Sequence, residues 1–66
     1  MAATYVKSCG ASTSTVTVDT AGGKVIVVSR DGCHAPRVDG CPADAPGDLA
    51  RQIVDGLIGD GYAPAS

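Results

Sequence analysis

"TVTVDTAGGKVIVVSR", residues 15–30, reads as two strands and the turn that joins them. Val16 and Val18 alternate with Thr15, Thr17 and Asp19. That period of two is the pattern of a strand with one face buried. "AGG", 21–23, supplies glycines for the positive φ angles of a tight reversal. "KVIVVSR", 24–30, is β-branched and almost wholly apolar, which marks a central, well-buried strand. Two such runs around a Gly-Gly reversal predict an antiparallel hairpin.

Working outward, "ATYVKSC" (3–9) predicts a first strand, and the small polar "GASTS" (10–14) predicts a loop. Residues 31–45 are expected to be a long loop, because Gly32, Pro36, Gly40 and Pro42 interrupt any regular element. In "APGDLARQIVDGLIGDGY" (45–62), Leu49, Ile53, Leu57 and Ile58 share one helical face, with Asp48, Arg51, Gln52 and Asp55 opposite. Asp44 or Ala45 is the expected N-cap, Pro46 fits the first turn, and Gly59 or Gly61 suits the left-handed cap. Gly56 suggests a close approach of helix to sheet. The expectation is one α+β domain over residues 1–66: a three-stranded antiparallel β-meander (about 3–9, 15–20, 24–30), a loop over 31–45, and a helix over about 46–58 packed on the sheet. Val16, Val18, Val25, Val27, Leu49, Ile53 and Leu57 form the expected core.

Composition narrows the function. The chain has 66 residues, no Phe or Trp, and two Tyr. Its apolar side chains are mostly small, so its core stabilises it by at most about 3–5 kcal/mol without a disulfide, a metal or a partner chain. The net charge is −2 and the five Lys and Arg are scattered. Direct nucleic-acid binding needs clustered positive charge, so it is not expected. No run approaches the roughly 20 apolar residues of a membrane span. "MAATYVKSCG" lacks the basic and apolar regions of a signal peptide, and a cytoplasmic location with reduced thiols is expected.

"RDGCHAPRVDGC", 30–41, holds Cys33, His34 and Cys41. With Cys9 these could count as four zinc ligands, although the paired C-x₂₋₄-C spacing of a structural site is absent. A Cys33–Cys41 disulfide and a small redox protein are alternative uses of the same residues. A Cys nucleophile served by His34 has no oxyanion motif beside it. Free, small apolar cysteines are the simplest reading, with Cys41→Ser expected to fold normally. Neither "AGGK" nor "GDGY" is a phosphate loop. Asp39, Asp44, Asp48, Asp55 and Asp60 do not match a calcium loop. No cofactor and no catalytic residue is expected.

The order of pieces resembles the actinobacterial family designated domain of unknown function 397. The resemblance rests on "YVKS" (5–8), on "TVTVDTAGGKVIVVSRDG" (15–32) with its strand, glycines, strand and Asp-Gly, and on the closing helix into Gly and Asp-Gly-aromatic, "APGDLARQIVDGLIGDGY" (45–62). The family's usual Cys before the Val-x-Val strand is Ser14 or Thr15 here. Its helix-start Trp is matched by Leu49, and its short turn by the longer "DGCHAPRVDGC". The resemblance implies a non-enzymatic regulator acting with a helix-turn-helix partner, in development or in a toxin–antitoxin-like pair. A protein partner or a homodimer is therefore expected. The competing readings are a zinc-binding or redox protein and a phage- or mobile-element-encoded inhibitor of a host protein.

Overall fold

The computed structural model describes residues 2–32 and 35–65, with the backbone alone described for Cys9. It corrects the three-stranded expectation: five antiparallel strands form one sheet, and one helix lies on it. The elements are β1 (Ala2–Cys9), β2 (Ser12–Ala21), β3 (Lys24–Asp31), β4 (Arg37–Pro42), α1 (Pro46–Gly59) and β5 (Ala63–Pro64), in the spatial order β4-β3-β2-β1-β5. Four strands meander from one edge to the other. The helix then crosses the sheet and delivers β5 to the far edge, beside Tyr5 and Val6.

Both early turns are set by glycine. Ala21 pairs with Lys24, so only Gly22 and Gly23 form the loop, at φ 57° and 78°. Positive φ at both central positions is the type I′ pattern, whose twist matches that of the flanking strands. Cys9 pairs with Ser12, and Gly10 sits first in that loop at φ 64°. The expected loop over 10–14 therefore shrinks to Gly10 and Ala11, and Ser12, Thr13 and Ser14 belong to β2. Ser14 Oγ donates to Asp31 Oδ1 at 2.7 Å across β2 and β3, which fastens their ends together.

β4 is the largest correction, because it falls inside the expected loop. An edge strand needs one ladder only, so Pro42 can end it without leaving an orphan in the sheet interior. Val38 pairs with Val28 and Cys41 with Val25. Every residue of β4 is exposed.

α1 begins at Pro46 with Ala45 as N-cap and no side-chain capping bond, and Asp48 lies in the first turn where the helix dipole favours it. Its end is a Schellman motif. The Tyr62 N–H donates to the Leu57 carbonyl at 3.0 Å, the Gly61 N–H to the Ile58 carbonyl at 3.1 Å, and Gly61 stands at φ 101°. Tyr62 then folds back against the core.

The core lies between α1 and the β2–β3 hairpin. Val16, Val18 and Val25 are buried, Val25 completely at 0% exposure. Val27, Leu49, Ala50, Ile53, Val54, Leu57 and Tyr62 pack around them. All seven expected core residues are in this cluster. Ile58 is not: it is 53% exposed, and Ala50 and Val54 complete the buried stripe instead. Gly56 is exposed, with open space where a Cβ would stand, so no close approach to the sheet requires it.

Candidate interaction surface

Side chains alternate across a strand, so the pairing register assigns each residue to a face. Val16, Val18, Val25 and Val27 share the face under α1. The other face carries Thr4 and Val6 from β1, Thr15, Thr17 and Asp19 from β2, Lys24, Ile26, Val28 and Arg30 from β3, and Val38 from β4. Nothing among the described residues packs over it. The thinnest dimension of the molecule, 18 Å, leaves room for one sheet and one helix layer.

This open face is mixed: β2 gives it Thr15, Thr17 and Asp19, the polar side usual for a solvated antiparallel strand, while β3 and β4 add the apolar Ile26, Val28 and Val38. Its central row runs Thr4, Thr17, Val28, Val38 across four strands. Thr4 Oγ1 and Thr17 Oγ1 hydrogen-bond to each other at 3.1 Å, so each hydroxyl has a partner within the sheet. Ile26 and Val28 are half-buried, and Val38 is 64% exposed. Lys24 and Arg30, both exposed, stand at the two ends of β3 on this face. Asp19, whose Oδ1 accepts the Thr20 N–H at 2.8 Å, is its one acid.

The free edge of β4 is built to resist strand addition. Arg37 Nε and Asp39 Oδ2 pair at 3.3 Å on it, and Pro42 closes it without an N–H. Charge and proline are the usual devices that discourage edge pairing. Both partners of that ion pair face water, so it adds little to stability.

A second concavity, about 440 Å³, lies between α1 and the start of β1. Ala3, Val18, Ala50 and Val54 make its floor, and Arg51 stands at its rim. It is large enough for one apolar side chain. Lys7 Nζ lies 5.7 Å from the centre of the Tyr62 ring, which engages that cation in a cation–π contact.

The candidate zinc ligands do not converge as a set. Cys9 ends β1 and Cys41 lies in β4, three strands away. The register separates them by about 26 Å along the strands and about 14 Å across the sheet. One tetrahedral site cannot take both, because its ligands lie within about 2.3 Å of the metal. Cys41 is a free, exposed thiol. Cys33 and His34 lie outside the described residues. No cluster of three or more metal-ligating side chains occurs among the described residues, and no helix among them is long and apolar enough to cross a membrane.

The open face was within reach of sequence reasoning. "KVIVVSR" is apolar on both its faces, whereas the described residues hold a single helix to cover one of them. β4, with Val38, was hidden by its glycine and prolines. Compared with protein-family models, curated proteins and solved structures, the chain matches none.

Proposed function

We propose that this chain is a small non-enzymatic interaction module, a regulator or antitoxin-like adaptor that works bound to a partner chain. One observation carries the reading: β3 is apolar on both faces and only one is covered. Val25 and Val27 meet α1, while Ile26 and Val28, with Val38 beside them, meet water. Burying apolar surface is worth roughly 25 cal/mol per Å². A protomer whose buried apolar core among the described residues is three valines gains much of its possible stabilisation from a second cover. The resemblance of "YVKS", "TVTVDTAGGKVIVVSRDG" and the closing helix to the domain of unknown function 397 family supports a regulator, with a helix-turn-helix protein as the kind of partner. The same reading places its work in the cytoplasm.

Affinity purification from the cells that make the protein tests this. The wild-type chain and Asp48→Lys, which alters the helix surface, are expected to bring down the same stoichiometric companion. Val38→Asp is expected to lose it. A tagged chain recovered with neither another protein nor an untagged second copy, or a companion indifferent to Val38→Asp, overturns the proposal.

A further inference from the structure

We infer that the occupant of the open sheet face is a second copy of this chain, packed face to face about a twofold axis that runs midway between the two sheets, parallel to them and perpendicular to the strands. The inference rests on the reading of that face as an interface and names what covers it. Such an axis passes over the row Thr4, Thr17, Val28, Val38 and sets that row against itself. Val28 then meets Val28 and Val38 meets Val38, the self-contact that an isologous interface requires. The rows on either side exchange. Val6, Thr15 and Arg30 of one copy lie over Ala2, Asp19 and Ile26 of the other, strand by strand.

This exchange matches shape and charge. The branched Val6 meets the small Ala2. Arg30 lies over the second copy's Ile26, one strand spacing, about 4.8 Å, from its Asp19. A guanidinium reaches across the roughly 10 Å between packed sheets to a carboxylate so placed. Asp19 keeps the Thr20 N–H on Oδ1 and a further contact within its own chain, and a carboxylate has about four acceptor sites. The symmetry makes the Arg30–Asp19 pair twice. Lys24 falls at the rim, opposite Gly32 and one strand from Thr13. Four strands of six to ten residues present a face of about 19 by 25 Å, by the usual spacings. Pairing two such faces removes roughly 1,000 Å² from water, the lower bound of a specific interface.

Sedimentation equilibrium of the full chain from about 1 to about 100 μM tests the inference, a range that spans weak association because an interface near the lower size bound does not fix its own affinity. The expected result is a reversible species of twice the 6.5 kDa protomer. Val38→Asp and Arg30→Glu should each raise the dissociation constant tenfold or more, and Asp48→Lys should leave it unchanged. Arg30→Asp combined with Asp19→Arg should recover association that Arg30→Asp alone loses. Circular dichroism of each variant establishes that the fold is kept. A monomer throughout the range overturns the inference, as does a dimer indifferent to Arg30→Glu, which would be joined elsewhere. If the wild-type chain is monomeric and Val38→Asp still loses its companion in cells, the interaction-module reading stands and the second copy is wrong.

Discussion

The two faces of the sheet are made from the same strands and differ in what covers them. Under α1, Val16, Val18 and Val25 are sealed from water. On the other side Ile26, Val28 and Val38, residues of the same chemical kind, are half-buried or exposed. The difference comes from supply: among the described residues one helix covers one face, and β3 is apolar on both. An aspartate placed on each face exposes the contrast most strongly. Val25→Asp puts a carboxylate where no water reaches, a cost of several kcal/mol that matches or exceeds the roughly 3–5 kcal/mol such a core supplies. The variant should be unfolded by circular dichroism at room temperature. Val38→Asp, at 64% exposure on the edge strand, should fold and lose no more than about 1 kcal/mol in urea titration.

Smaller effects sharpen how the covered face is held shut. Gly61 closes α1 at φ 101°, a conformation that L side chains rarely adopt. Gly61→Ala should cost about 1–2 kcal/mol in urea titration, from backbone strain and a weakened return of Tyr62 to the core. Gly56 carries no such demand. Gly56→Ala should stabilise the protein by about 1 kcal/mol, read as a higher urea midpoint with an unchanged slope. Cys41→Ser should be the mildest change, within about 0.5 kcal/mol, because the thiol is exposed and free.

The covered face could be read from residues alone because two local signals agreed there. The Val16–Val18 alternation and the Gly22–Gly23 reversal define the hairpin, and the spacing of Leu49, Ile53 and Leu57 defines the stripe laid on it. Fine orientation was harder. Residues 49, 53 and 57 define the centre of a helical face but not its width, so Ile58 was assigned to that face, although not to the core, and Ala50 and Val54 were passed over. β4 was lost because Gly40 and Pro42 are poor strand residues in a sheet interior, and composition does not say that a segment lies at an edge. The Ser and Thr of residues 12–14 read as loop for the same reason, although Gly10 alone suffices to turn the chain. Adjacency in sequence cannot reveal that Cys9 and Cys41 end at opposite corners of the sheet. The open face could have been suspected from "KVIVVSR", since a strand apolar on both sides asks for two covers.

A photo-crosslinking amino acid introduced in place of Val38, on the open face, and separately in place of Gln52, on the exposed side of α1, locates the contact in the cells that make the protein. Irradiation at position 38 should join the chain covalently to a single discrete species, whether a second copy or another protein, and irradiation at position 52 should leave it unjoined. Adducts at 52 with none at 38 would contradict the account, because the uncovered face of β3 would then be solvated surface and the helix side the point of contact.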